Sequence, residues 1–168
     1  MKNWILPVAA LLLMSCQQEK IGFVDNVRLM DGYQKKKDVE AAYQIKSQSF
    51  TRKRDSISQV FQMEAQDLQS KSEGMSQSKA QEAFSQLQQK GQMVGQQLQQ
   101  EEQQLQRMGQ LKMDSVVQEV RKKIKEYGKA NGYSFILTGG EGGSVLFGKE
   151  ASDVTEEVLK VLNESYEE

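Results

Sequence analysis

Histidine is absent from the 168-residue chain, and cysteine, proline and tryptophan each occur once. Without histidine, the chain cannot form a Ser-His-Asp or Cys-His catalytic unit or an imidazole metal site. A single cysteine excludes an internal disulfide and a cysteine zinc site. The net charge of −1 argues against nucleic-acid binding by phosphate neutralisation. We therefore expect a protein that is not an enzyme and that uses no metal or cofactor.

Glutamine is the most over-represented residue in this chain. There are 24 glutamines, while hydrophobic residues make up only 38% of the sequence, which is low for a compact core of this length. Such a composition fits either a partly disordered chain or an elongated helical one.

The first sixteen residues, MKNWILPVAALLLMSC, have the organisation of a secretory signal. The apolar stretch from Trp4 to Met14 is too short to span a bilayer as a helix. Its ending, Leu13 to Cys16, resembles a bacterial lipobox, which implies removal of residues 1–15 and lipidation of Cys16. The alternative is an ordinary cleaved signal in which Cys16 is incidental. Gln17, rather than Asp, favours the outer membrane under the enterobacterial sorting rule.

Apolar residues recur at heptad spacing through the polar middle of the chain. Tyr43, Phe50 and Ile57 are seven residues apart, and after a four-residue shift Phe61, Leu68 and Met75 repeat that spacing. Farther on, Phe84, Leu98 and Leu105 share one register, while Leu87, Val94 and Met108 take a second seam position. This pattern predicts coiled-coil helices over residues 33–129 rather than disorder. Gly74 favours a hairpin with its tip near residues 74–78 and two arms of about 65–70 Å.

Both ends of the chain have the composition of a small folded body. KIGFVD at 20–25 predicts a first strand within the anchor segment 16–32. In residues 130–168, Asn131-Gly132 ends the long helix, and YSFILT and SVLF (144–147) predict a hairpin of two strands joined by GGEGG. A capping sequence at Asp153 opens a final helix. The fold class is thus α+β, with a small β-body formed by both chain ends and a long coiled-coil hairpin.

Two blocks of sequence resemble the Skp/OmpH family of periplasmic chaperones. They are KIGFVD near the start, and near the end VVQEVRKKIKEYGKANGY, SFILT, VLFG and DVTEEVLKVLN. The resemblance covers residues 20–163, and over the long middle segment it extends only to polar helical character. It implies a homotrimer whose helical arms surround a cavity that holds unfolded outer-membrane proteins without ATP.

The resemblance leads to specific expectations about partners and sites. We expect contacts with unfolded outer-membrane or envelope proteins through arm residues Phe61, Leu68, Met75, Phe84 and Leu87, and attachment to a membrane, facing the periplasm, through Cys16. The sequence pI near 5.7 departs from the basic character of familiar family members, so no lipopolysaccharide site is carried over. The alternative function is a lipid-anchored coiled-coil spacer or scaffold of the cell envelope.

Overall fold

A computed structural model describes residues 19–167 of the chain. Cys16 and the predicted signal, residues 1–15, lie outside this range. The elements in chain order are strand β1 (Ile21–Asp25), helices α1 (Asn26–Gly32), α2 (Gln34–Ser72) and α3 (Gln77–Ala130), strand β2 (Phe135–Gly139), a 3-10 turn (Glu150–Ser152) and helix α4 (Thr155–Glu167).

The chain divides into two compact units. One, called the body, comprises the described residues up to Gln34 and those from Val117 onward, and the other, called the hairpin, is Lys35–Val116. The predicted fold class is confirmed, because the helices of a long hairpin separate the two strands of a small sheet.

The sheet of the body consists of β1 and β2 in parallel, with Ile21 opposite Phe135 and Asp25 opposite Gly139. Parallel neighbours need a long crossover connection, and here the two long helices provide it. Asp25 ends β1 and caps α1, because its Oδ1 accepts hydrogen bonds from the backbone N–H groups of Val27 (3.0 Å) and Arg28 (3.1 Å).

Helix α4 packs one apolar face against α1 and β1. Val154, just before its first residue, and Val158 and Leu162 recur at four-residue spacing and are buried. They share the core of the body with Val24, Leu29, Tyr33 and Val120. Full burial of a side chain such as Leu29 or Leu162 contributes about 1.5–3 kcal/mol, so α1 and α4 depend on each other for stability.

The hydrogen bonds of Asp153 and Thr155 fix the start of α4. Asp153 Oδ1 accepts from the backbone N–H of Thr155 at 2.9 Å and also from its hydroxyl. The same hydroxyl oxygen accepts from the backbone N–H of Asp25 at 2.9 Å, which ties α4 to the end of β1. The predicted capping role of Asp153 is therefore confirmed.

Glycine ends α3 as the sequence predicts. Gly132 has φ +69°, the N–H of Tyr133 bonds to the carbonyl of Gly128 at 2.9 Å, and that of Gly132 bonds to Lys129 at 3.4 Å. This pair of bonds is the Schellman motif, in which a left-handed residue lets the chain turn away from the helix axis.

The prediction of a strand at residues 144–147 is wrong. Only Val145 of this segment forms a bridge, to Gly139, and the bridge is parallel instead of the hairpin pairing expected. Positive φ angles at Gly140 and Gly142 fold the connection tightly back, and the chain then crosses the ring of Phe23 at Gly148. The segment therefore leaves the edge of β2 after a single contact.

Candidate functional site

The two helices of the hairpin meet along a half-buried seam. Helix α2 contains 39 residues and α3 contains 54, and residues 73–76 separate them. The half-buried apolar positions of α2 include the predicted Tyr43, Phe50, Ile57, Phe61 and Leu68. On α3 they include Leu87, Val94, Leu98 and Leu105. No residue of α2 is fully buried, so this seam is far less closed than the core of the body.

Two ion pairs join the helices across this seam. Lys53 Nζ lies 2.5 Å from Glu101 Oε2, and Lys90 Nζ lies 2.6 Å from Glu64 Oε1. All four side chains keep more than a third of their surface in water, so each pair contributes at most about 1 kcal/mol. The pairs fix the relative register of the helices more than they hold them together.

Clefts lined by apolar side chains remain between the helices beside these ion pairs. One, of about 300 Å³, is lined by Phe50, Leu105 and Met108 with Lys46 and Lys53 at its rim. The next, of about 280 Å³, is lined by Ile57, Val60, Phe61, Val94 and Leu98 among others. The seam thus leaves apolar surface uncovered in these clefts.

Apolar side chains also point away from the seam. Met63, Met93 and Leu111 are 60–68% exposed. Ile45 is exposed too. Methionine is unbranched and polarizable, so it adapts to irregular apolar partners. The hairpin therefore offers separate, weakly structured apolar contacts along its length rather than one shaped pocket.

The structure separates the five predicted contact residues into two groups. Phe61, Leu68 and Leu87 are half-buried in the seam, whereas Met75 lies in the turn between the helices and is exposed. Phe84 is 44% exposed instead of occupying the predicted seam. Its neighbour Ala83 is half-buried, and Gly109 takes the position expected for Met108, which is exposed. At Gly109 a larger residue is excluded by the ring of Tyr43, which fills the space that a Cβ would need.

Heptad spacing identifies only residues that repeat along one face of a helix. It therefore did not identify the exposed apolar residues Ile45, Met63, Met93 and Leu111. Their position outside the repeat was the sequence signal that could have identified them, since a solvated helix face favours polar side chains and an apolar residue there is unusual.

The body carries a second exposed apolar surface, on one face of the sheet and the loop after it. Ile21 and Leu137 are about half-exposed, as is Phe135, which pairs with Ile21. Leu146 and Phe147 are 99% and 88% exposed. Large apolar side chains this exposed on a small body mark an interaction surface.

Two ionisable groups of the body, Tyr33 and Asp153, have shifted pKa values, and both have structural rather than chemical roles. Burial and the hydrogen bond to Glu119 (2.9 Å) raise the pKa of the Tyr33 hydroxyl. Partial burial opposes ionisation of Asp153, but hydrogen bonds from Thr155 and the nearby Arg28 outweigh it and lower the pKa of this carboxyl. Both groups lie in the packing between α4 and the rest of the body.

The described residues offer no arrangement for metal binding and no membrane-spanning helix. Across residues 19–167, no group of three or more acidic, cysteine or histidine side chains could hold a metal ion. Nor does any helix in that range combine the length and apolar character needed to cross a bilayer.

Comparison with known proteins agrees with this architecture. The family model described as outer membrane protein (OmpH-like) matches residues 20–162. No curated protein matches the sequence. Among solved structures, an OmpH-like protein from Caulobacter crescentus CB15, described as an outer membrane chaperone, superimposes with a TM-score of 0.78 at 19% sequence identity, covering 88% of this chain and 85% of that one. At that identity the superposition shows a shared fold.

The family match spans most of the chain and contains the whole hairpin together with both strands of the body. The resemblance inferred from KIGFVD and from the C-terminal block is thereby confirmed, and this chain belongs to the OmpH-like family of outer membrane proteins.

Proposed function

We propose that this protein is an ATP-independent holdase chaperone that binds unfolded outer-membrane or envelope proteins in the periplasm. The observation that carries the proposal is the exposed apolar residues of the hairpin, above all Met63, Met93 and Leu111. The outer membrane chaperone from Caulobacter with the same fold supports it. Each such contact buries little area, so binding is weak and reversible and needs no energy source for release.

The holding mechanism requires several hairpins around one cavity, and we propose a homotrimer formed through the body. The exposed face of Ile21, Phe135 and Leu137, with Leu146 and Phe147, supplies the apolar surface for this association. Sedimentation equilibrium of residues 17–168 should give a trimer. The double variant Leu146→Ser, Phe147→Ser should shift it toward monomer, and a monomeric wild-type chain would contradict the cavity mechanism.

We also propose that Cys16 is lipidated and holds the protein at a membrane, with the outer membrane favoured by Gln17. Mass spectrometry of the N-terminal peptide should show lipid on Cys16. The variant Cys16→Ser should be released by carbonate washing, and continued membrane retention of that variant would contradict the anchor.

Suppression of aggregation tests the holdase directly. An unfolded β-barrel protein is diluted from urea with residues 17–168, and light scattering is followed. Scattering should fall at a few-fold excess of chaperone and should recover with the triple variant Met63→Gln, Met93→Gln, Leu111→Gln. Glutamine keeps helix propensity at these exposed positions, so the helices remain. The matched control replaces the adjacent exposed residues: Gln62→Ala, Gln92→Ala, Gln110→Ala.

The control should hold the client as well as wild type does. Equal loss in both variants would show that the effect is not due to apolar contact, and no suppression by wild type would overturn the proposal. The second candidate, a lipid-anchored spacer or scaffold, is favoured by a lipobox preceding a long coiled coil. It predicts one stoichiometric partner in crosslinking instead of many envelope proteins.

A further inference from the structure

We infer that the body contacts an anionic lipid surface. The part that contacts it is the end of the sheet at which both strands begin. This orientation rests on the proposed lipidation of Cys16, and it adds to that proposal the part of the protein that contacts the membrane. Two independent observations carry it: the shortness of the chain between Cys16 and the body, and the distribution of charge between the two ends of the sheet.

The tether is short enough to keep the body at the membrane surface. Glu19, the first described residue, follows Cys16 by three positions, so their Cα atoms can be at most about 11 Å apart. The Debye length at physiological ionic strength is about 8 Å. Charges near Glu19 therefore lie within the range of the surface potential of the membrane.

The contacts of Lys20 place the tether at the C-terminal end of α3. Its Nζ donates to the carbonyl of Asn131 at 3.1 Å and lies 4.0 Å from the centre of the Tyr133 ring. Its own carbonyl accepts from the N–H of Ser134 at 2.8 Å. The tether thus leaves the body beside the residues where α3 ends and β2 begins.

Exposed lysines surround this point. Lys125 and Lys129 are exposed and four residues apart, so they share a face of the last turns of α3, and Lys20 is exposed as well. Glu19 offsets one of these charges, and the charge of Glu157 acts on Tyr127, which stacks on Tyr133 beside Lys20. Glu126 is 3.8 Å from Lys122 and 3.9 Å from Lys123. The three lysines exceed the partial charge of about −0.5 at the helix C-terminus.

The opposite end of the sheet is acidic. Asp25 is the last residue of β1, and exposed Glu141 lies in the turn after β2. Arg28 at this end is paired with Asp153 (3.2 Å) and Glu156 (3.5 Å), and Arg121 lines a cleft with Asn26 and Thr138, so four acidic groups face two arginines. An anionic surface therefore attracts one end of the sheet and repels the other. One lysine near such a surface favours, by about fivefold, the orientation in which the strand-start end of the sheet faces the membrane. Loss of both Lys125 and Lys129 should therefore lower the ratio of this orientation to all others by about 25-fold.

Quenching by nitroxide attached to lipid headgroups measures this orientation in the full lipidated protein. The same anionic fluorophore is placed on Ala130→Cys, at the end of α3, or on Glu141→Cys, at the other end of the sheet, where it replaces the lost carboxylate charge. The Cys16 sulfur is occupied by lipid, so labelling is specific. Vesicles contain phosphatidylglycerol with phosphatidylethanolamine, or phosphatidylcholine alone, and mass spectrometry of the N-terminal peptide verifies the anchor.

Quenching at residue 130 should exceed that at 141 in phosphatidylglycerol vesicles. The difference should shrink in phosphatidylcholine, at high salt, and in Lys125→Gln, Lys129→Gln. It should persist in the matched variant Lys79→Gln, Lys112→Gln, which removes two exposed hairpin lysines. Equal quenching at both positions, or stronger quenching at 141, on a lipidated protein overturns the orientation alone. An N-terminal peptide without lipid overturns the anchor and the orientation with it.

Discussion

Two glycines of α3 should respond in opposite ways to the same substitution. A Cβ added at Gly95 meets no heavy atom within 4 Å, whereas one added at Gly109 would lie 2.6 Å from Cε2 and 2.7 Å from Cδ2 of Tyr43. Both residues lie inside the helix, far from its ends. Neither has a positive φ, so alanine fits the backbone at both sites.

The magnitudes follow from this geometry. Alanine is better than glycine inside a helix by about 1 kcal/mol, and Gly95→Ala should realise the whole gain. At Gly109 the added Cβ would lie too close to the Tyr43 ring, and overpacking of this kind costs about 1–3 kcal/mol. Gly109→Ala should therefore be neutral at best and should destabilise the hairpin by up to about 2 kcal/mol.

Amide hydrogen exchange of α3 peptides is the suitable assay, because it reports local opening of the hairpin separately from unfolding of the body. Gly95→Ala should slow exchange around residue 95 by about fivefold, which corresponds to about 1 kcal/mol. Gly109→Ala should leave exchange around residue 109 unchanged or accelerate it. Gly91→Ala should behave like Gly95→Ala, since its Cβ would meet only Phe61 Cε1, at 3.7 Å.

Equal stabilisation by alanine at residues 95 and 109 would refute the reasoning, because the contact with Tyr43 would then carry no cost. Acceleration of exchange by Gly95→Ala would refute it as well. A Cβ at residue 95 would lie in free space, so glycine is not required there for packing. Its only structural effect is to make the helix less stable.

Three further predictions concern the body. Leu29→Ala removes a fully buried side chain and should lower the free energy of unfolding by about 2–5 kcal/mol, measured by urea titration. The pKa of Tyr33 is raised in the fold, so the contribution of this hydroxyl to stability is complete below about pH 10 and falls at higher pH. Tyr33→Phe should lower the free energy of unfolding by about 1–3 kcal/mol at pH 8, and the free energy of unfolding of this variant should fall less steeply than that of wild type above about pH 10. The pKa of Asp153 is lowered, so its contribution is present above about pH 4 and falls at lower pH. Asp153→Asn keeps an Oδ1 that can accept from Thr155 but removes the charge beside Arg28. It should therefore cost about 1 kcal/mol at pH 7 and much less at pH 3, which thermal melts at the two pH values would show.

The sequence predicted those parts of the fold in which one local rule determines the structure. The left-handed Gly132 ends α3, and Asp153 caps α4, because each motif is complete within a few residues. The sequence also placed the first strand in one body with the predicted C-terminal strands, since isolated strands are unstable, but it did not specify the parallel pairing with YSFILT. In the hairpin, heptad spacing located most of the seam for the same reason.

The failures occur where tertiary contacts override a local preference. Residues 144–147 favour a strand, yet the glycine turn before them and the path of Gly148 over Phe23 allow only one bridge, at Val145. Phe84 has the spacing of a seam residue, but Ala83 occupies that position. Gly109 likewise stands where heptad counting expects Met108, and the ring of Tyr43 fills the space beside it. The spacing of residues along one helix does not contain the position of a ring on the other.

The exposure of apolar groups on the hairpin bears on how a client would be held. Met63, Met93 and Leu111 point outward, so their exposure persists when the two helices pack on each other. Burial of one such side chain contributes about 1.5–3 kcal/mol at most, and the entropy of ordering an unfolded chain opposes it. Under the proposed holdase function, a client must therefore engage several of these residues at once to be retained, and loss of contacts as it folds is enough for release. Glycines that destabilise α3, such as Gly95, would let the contacts adjust to different chains, so Gly95→Ala should narrow the range of clients held while it stabilises the helix.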